Sequence, residues 1–336
     1  FKRLYEIMRE EGMGTDVVSC GEIYTAKLAG FPLEKAYFHS NNKTDADIVY
    51  AIENGVGYFV VDNEEELFAI DRIAREYNTV QRVLLRITPG IDPHTYAAVA
   101  TGKVDSKFGS AIETGQAKEL VELALSKENI ALMGYHCHIG SQILEMDDFV
   151  ALCNRINELQ EKLAKHHIIC DLINVGGGLG ISYEAPDNES IPDFANYFAT
   201  YAKHLKLRSH QTLHFELGRA VVGQCGALIS KVLYVKQGHN KQFAILDAGM
   251  TDLIRPALYQ AYHQIDNITS DEAIEVYDVV GPICESSDVF GKDVRLNKAK
   301  RGDLFAIRSA GAYGEIMASG YNCRALPKGY TSDELA

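Results

Sequence analysis

The sequence predicts an α/β fold: a (β/α)8 TIM-like barrel over residues 1–223 with its first strand apparently missing, then a mainly β domain over 224–336. Three observations predict it. Seven strand-like segments alternate with helical ones and the chain opens on a helix, so one strand before Phe1 would complete a closed barrel of eight. The polar motifs fall at strand C-termini, where a barrel keeps its site, which favours the barrel over an open doubly wound sheet. After about Gly223 the helical period fades, and β-branched and aromatic runs separated by Gly, Asn and Asp take over.

The elements follow in order. Helical periodicity covers 1–11 and stops at Gly12. Strands are expected at 16–19, 36–39, 58–61, 82–87, 130–136, 172–175 and 212–216. Helices are expected between them at 21–29, 45–54, 63–76, 115–125, 146–166 and 191–205. Alternation at this spacing implies parallel strands joined by helical crossovers. In the second domain the β runs are 227–236, 242–246, 275–280 and 303–307.

Composition narrows the function. A net charge of −13 argues against a nucleic-acid partner, whose phosphates nothing would offset. A small anionic ligand needs only one basic pocket and stays open. No stretch is long and apolar enough to span a bilayer. The seven cysteines include no C-x-x-C pair and no signal peptide is visible, so reduced thiols in a cytosolic protein are expected.

Four segments carry chemistry. The run Asn174-Val175-Gly176-Gly177-Gly178-Leu179-Gly180 follows the 172–175 strand, the seventh once the missing first strand is counted. Its glycines let backbone N–H groups approach an anion, at the usual phosphate site of a barrel. The next strand ends Phe215-Glu216-Leu217-Gly218-Arg219, which sets a carboxylate beside that loop. A phosphate loop and an acid at adjacent strand ends suit a phosphorylated heteroaromatic cofactor, the acid keeping a pyridine nitrogen protonated. The 130–136 strand, the sixth on the same count, leads into His136-Cys137-His138-Ile139-Gly140-Ser141-Gln142. On a strand Cys137 faces away from the two histidines, which argues against zinc, and no metal is expected. His138 suits a ring stacked on a cofactor, and Ser141 a phosphate donor. Last, Gly281-Pro282 displays Cys284-Glu285-Ser286-Ser287-Asp288, where Cys284 could be a nucleophile, a proton donor or a plain loop cysteine.

Together these segments resemble the fold-type-III pyridoxal-phosphate decarboxylases, and within them the diaminopimelate decarboxylases. Gly14 to Ser19, Arg255-Pro256-Ala257-Leu258-Tyr259 and Gly320-Tyr321-Asn322 complete the likeness. The resemblance implies pyridoxal 5'-phosphate as cofactor. His138 would stack on its ring, Glu216 would pair with its pyridine nitrogen, and Asp16 and Arg86 would line the inner pocket. Ser141, Gly176, Gly177 and Gly178, with the backbone at Leu217, Gly218 and Arg219, would hold the phosphate. Arg219, Arg255 and Tyr259 would bind carboxylates of a small amino-acid substrate. Cys284 would donate a proton and Glu285 would recognise the distal amino group. In the family Cys284, Glu285 and Tyr321 come from the partner subunit, so a homodimer is implied. The implied reaction converts meso-2,6-diaminopimelate to L-lysine and CO2. Rivals are relatives acting on ornithine, arginine or carboxynorspermidine, and a non-catalytic binding homologue.

Two departures from the family pattern stand out. Leu217 replaces the proline of Glu-Pro-Gly-Arg, which removes rigidity but no functional group. The family's cofactor-bearing lysine, in a Tyr-x-x-Lys-x-Asn setting on the first barrel strand, has no counterpart. Lys2, Lys27 and Lys43 lack that setting, so the expectation is a chain without its N-terminal portion, inactive as it stands.

Overall fold

The computed structural model describes residues 1–95, 100–103 and 106–335. The chain forms two compact units: Phe1–Gly178 with Phe194–Glu216, and Leu179–Asp193 with Leu217–Ala336.

The first unit is the expected run of parallel strands and helices. Its strands are β1 (Thr15–Val17), β2 (Ala36–Phe38), β3 (Tyr58–Val61), β4 (Gln81–Thr88), β5 (Ser110–Ala111), β6 (Ile130–His136), β7 (Leu172–Asn174) and β8 (Thr212–His214). They pair in the order β1-β2-β3-β4-β6-β7-β8, all parallel, with the short β5 alongside β4. The sheet is curled, not open. Tyr37 on β2 meets His214 on β8 at 2.6 Å although four strands separate them in the pairing order. All C-terminal strand ends therefore face one rim.

Local chemistry starts each crossover helix. Ser19 caps α2 (Cys20–Leu28) by accepting from Glu22 N–H. Thr44 and Asp47 form a reciprocal capping box at α3 (Asp45–Glu53). Asn63 caps α4 (Glu64–Glu76), whose first turn carries three glutamates that favour the positive helix end. The helix α1 (Lys2–Glu10) comes first; α5 (Gln116–Leu125), α6 (Met146–Ala164) and α7 (Phe194–His204) complete the set. On α6 the buried Phe149, Leu152, Cys153, Ile156, Leu159 and Leu163 recur at three- and four-residue steps, so one stripe packs inward. Burial on both faces explains the unbroken apolar strands: every residue of β2 and β7 is buried. Inside the curl Tyr37, Val60, Leu84 and Leu172 form one cluster.

The second unit is the expected β domain. Its sheet runs β11-β14-β9-β10-β12-β13. These strands are β9 (Leu228–Gln237), β10 (Gln242–Leu246), β11 (Ile265–Asn267), β12 (Ile274–Val280), β13 (Val289–Asn297) and β14 (Leu304–Ile307). Only the β10–β12 pair is parallel. Val232, Leu246, Tyr277, Val279, Phe290 and Phe305 make its core. Two short helices, α8 (Arg219–Val222) and α9 (Arg255–Tyr259), carry arginines of interest. The sequence reading missed β13, because Gly291, Lys292 and a left-handed Asp293 interrupt its alternation and look like a turn. It also began α7 three residues early, at 191 instead of Phe194.

Candidate active site

At the rim of the first unit, residues at or just beyond the ends of β2, β6, β7 and β8 converge on one carboxylate. Glu216 Oε1 accepts from His39 Nε2 at 2.8 Å and from Asn174 Nδ2 at 2.8 Å. Its Oε2 accepts from His136 Nε2 at 2.9 Å. Burial alone would push the Glu216 carboxyl up; His39 and His136 outweigh it and hold it well below the usual carboxylate range. Burial also drives the His136 imidazole down to about 4, with Glu216 pulling the other way, so it sits neutral at pH 7. Its Nδ1 is buried without a partner among the described residues. The donor atoms of His39, His136 and Glu216 all lie within 4.8 Å of one another, a composition that could also hold a metal ion. The hydrogen bonds already give each imidazole its own carboxylate oxygen.

The glycine loop packs against the same rim. Gly176 has φ +67°, and a Cβ there would come within 2.6 Å of the Cys137 carbonyl oxygen and 2.7 Å of His138 Nδ1. Gly178 has φ +107°, and its Cβ would lie 2.6 Å from the Gly140 carbonyl oxygen. Neither position admits a side chain, so the loop is seated on the segment that follows β6. Asn174 Oδ1 accepts from Gly176 N–H at 2.9 Å, and His138 Nδ1 accepts from Gly177 N–H at 3.3 Å. Burial first, and the Arg86 guanidinium second, lower His138 to about 3, which leaves a neutral ring. Cys137, the first residue beyond β6, is fully buried.

Arg86 lies beside His136 across the β4–β6 ladder and covers the Phe108 ring at 4.3 Å. Burial lowers its guanidinium, while Asp62 and Glu216 pull it back up. Asp16, on β1, is open to solvent on one side; the surrounding protein and then Glu216 still raise its carboxyl. Ser141 follows the same loop, and its carbonyl accepts from Thr95 Oγ1 at 2.6 Å. Thus His138, Gly176, Gly177, Gly178, Glu216, Arg86 and Asp16 belong to one rim. His39 and Asn174 join them without having been anticipated.

Of the lysines considered, Lys43 is fully occupied. Its ammonium donates to Ser40 O at 2.8 Å, Val60 O at 2.8 Å and Glu66 Oε1 at 2.6 Å. Lys27 donates to Asn54 at an exposed position, and Lys2 pairs loosely with Glu6 on α1.

The second unit holds two further groups. In the first, Arg219 donates to the Tyr183 hydroxyl and lies over the Tyr313 ring at 4.9 Å. Arg255 lies over Tyr183 at 4.7 Å and donates to His263 Nε2 at 2.8 Å. His263 Nδ1 in turn donates to Arg308 O at 2.7 Å, which fixes its tautomer. Both arginines are buried, and Arg255 Nε has no acceptor among the described residues. Tyr259, half-buried, ends the same short helix. Tyr183 and His263 were missed by sequence reasoning, since each sits outside any glycine-marked motif. Ahead of these, Gly218 heads α8; a Cβ there would meet nothing within 4 Å, so its backbone stays open to a ligand.

In the second group, Tyr321 OH donates to Glu285 Oε1 at 2.6 Å, and Cys284 is exposed beside them in sequence. The buried Asp288 holds this loop by accepting from Met250 N–H and Ile283 N–H, each at 2.7 Å.

Residues 2–223 match the family model described as the pyridoxal binding domain of pyridoxal-dependent decarboxylases. The chain is 61% identical to a diaminopimelate decarboxylase of Bacteroides thetaiotaomicron over 99% of its own length and 86% of the relative's. A diaminopimelate decarboxylase of Zymomonas mobilis is 40% identical, covering 94% of this chain and 74% of that one. Among solved structures, diaminopimelate decarboxylase from Helicobacter pylori complexed with L-lysine superposes with a TM-score of 0.89 at 36% identity, covering 96% of this chain and 79% of that one. A lysine/ornithine decarboxylase of Vibrio vulnificus complexed with cadaverine gives 0.82 at 22% identity, over 96% of this chain and 82% of that one, and shares the fold alone.

Proposed function

Because the chain belongs to the diaminopimelate decarboxylases, within the pyridoxal-dependent decarboxylase family, we propose that it converts meso-2,6-diaminopimelate to L-lysine and CO2. The observation that carries the choice of substrate is the Arg219–Arg255 pair around Tyr183. A buried guanidinium with an unfilled Nε, beside a second buried guanidinium, is a site built for a carboxylate. Diaminopimelate keeps a second carboxylate after the first has left; ornithine and arginine do not.

The first unit fits the cofactor. A buried, ionised carboxylate, a neutral flat imidazole and a loop that tolerates no Cβ are what a protonated pyridine, its ring face and its phosphate require. When bound, pyridoxal phosphate supplies the electron sink that takes up the pair left when the bond to CO2 breaks. Glu216 would keep its pyridine nitrogen protonated, and His138 would lie on the ring, with Asp16 and Arg86 nearby. Ser141, the 176–178 loop and the backbone at Leu217, Gly218 and Arg219 would hold the phosphate. Arg219, Arg255 and Tyr259 would hold the retained carboxylate and so select the one that leaves. Cys284 would return a proton to the carbon that lost CO2, a role open to an exposed thiol. Glu285, steadied by Tyr321, would take the distal ammonium. By this reading Cys284, Glu285 and Tyr321 serve the partner subunit of a homodimer. All seven cysteines are free thiols, which supports a reducing, cytosolic setting.

The test of the substrate assignment is Arg255→Ala in the complete, cofactor-loaded protein. KM for meso-diaminopimelate should rise about 10- to 150-fold, the equivalent of the roughly 1.5–3 kcal/mol of a charge-assisted bond. Turnover of a substrate without the second carboxylate should not worsen. An unchanged KM would assign Arg255 to structure alone.

Attachment of the cofactor gives a second expected result. Lys43 has three acceptors within 2.8 Å, and Lys2 and Lys27 sit on exposed helix surfaces. Borohydride treatment of this chain with pyridoxal phosphate should therefore leave all three without stoichiometric label by peptide mass spectrometry. Full labelling of Lys43 with retained activity would contradict the assignment and open a different cofactor geometry.

A further inference from the structure

A carboxylate offers about four acceptor positions, two on each oxygen. On Glu216 three are filled by protein: His39 and Asn174 on Oε1, His136 on Oε2. One position remains, on Oε2. The orientation of Asn174 is fixed by its own partners, since Nδ2 must face the carboxylate while Oδ1 accepts Gly176 N–H. The same amide thus ties the carboxylate to the glycine loop. A second tie runs along the backbone, where Glu216 N–H donates to Gly176 O at 2.7 Å.

We propose that His39 and Asn174 are positioning residues which saturate Oε1 of Glu216 and so leave a single acceptor, on Oε2, for the N–H of a protonated pyridine ring. This rests on the reading that Glu216 faces the cofactor's pyridine nitrogen. An unconstrained carboxylate could turn about its terminal bond and share its charge between both oxygens and water. Held by donors from β2, β6 and β7, it presents one lone pair in one direction. Asn174 adds a distance constraint, because the loop expected at the phosphate and the acid expected at the nitrogen hang from the two ends of one amide. His136 is neutral, so it donates to Oε2 without itself adding a positive charge that would compete with the pyridinium.

The experiment loads the enzyme with pyridoxal phosphate carrying 15N in its ring and reads the pyridine nitrogen shift by NMR, with cofactor affinity measured alongside. In the wild type the shift should be that of a protonated nitrogen. In His39→Leu it should move toward the unprotonated position, and the cofactor dissociation constant should rise about tenfold, as for one lost hydrogen bond to a charged group. His39→Gln keeps an N–H donor and should recover most of the shift, a rescue that a merely space-filling role would not give. Should His39→Leu fail to fold by circular dichroism, Asn174→Ala is read in its place with the same expectation. A folded His39→Leu or Asn174→Ala with the wild-type shift and affinity would overturn the proposal. An unprotonated nitrogen in the wild type itself would instead remove the reading of Glu216 on which it rests.

Discussion

Glu216→Gln is expected to lower kcat by about 10²–10³-fold, the scale on which one preorganised electrostatic partner acts in a dry site. The two side chains have nearly the same shape, so the loss is electrostatic. The amide carries no charge to hold a pyridinium proton. Its NH2 must also face either His136 Nε2 or the His39–Asn174 pair, and each of these is a donor in the native arrangement. At least one buried donor is then left without an acceptor, at a cost of about 1–3 kcal/mol each. The variant should melt at a lower temperature than the wild type yet still fold. Steady-state decarboxylation with circular dichroism melting checks both halves. A kcat within about threefold of wild type would detach Glu216 from the chemistry.

Lys43→Met is expected to destabilise the first unit by about 3–5 kcal/mol, the cost of breaking a buried ion pair by removing one partner. Lys43 and Glu66 side chains are 0% and 6% exposed and 2.6 Å apart. Without the ammonium, Glu66 keeps only backbone donors such as Asp62 N–H, at 2.9 Å. The effect should reach the rim as well. Lys43 binds the carbonyl of Ser40, whose φ of 118° marks a constrained turn immediately after His39. Adding Glu66→Gln should restore part of the stability, because the uncompensated charge goes with it. Urea denaturation of the single and double variants measures this. Equal midpoints for Lys43→Met and wild type would contradict the account.

Much of the fold was legible because its signals are local. Caps at Ser19, Thr44 and Asn63, the apolar runs of β2 and β7 and the period of α6 each follow from neighbouring residues. The glycines of the 176–180 loop and Glu216 were legible for the same reason. His39 and Asn174 were not. The His39–Glu216 bond spans 177 positions and exists only because the sheet curls until β2 and β8 face each other. Tyr183 and His263 escaped for a related reason: their partners Arg219 and Arg255 are brought to them by the second unit's fold, not by spacing. The alternation argument against zinc took His136, Cys137 and His138 to share one strand, whereas β6 ends at His136. Strand β13 shows the opposite failure, where glycine and charge imitate a turn inside a ladder that persists.

The central claim is tested most directly by offering the complete, cofactor-loaded protein meso-diaminopimelate, L-ornithine, L-arginine and carboxynorspermidine in parallel and measuring CO2 released and amine product formed. The account predicts stoichiometric L-lysine and CO2 from meso-diaminopimelate, with kcat/KM at least about a hundredfold above the others, as expected for a site whose buried guanidinium goes unpaired without the second carboxylate. Preferential turnover of any of the other three, or cofactor binding with no turnover of any, would contradict it.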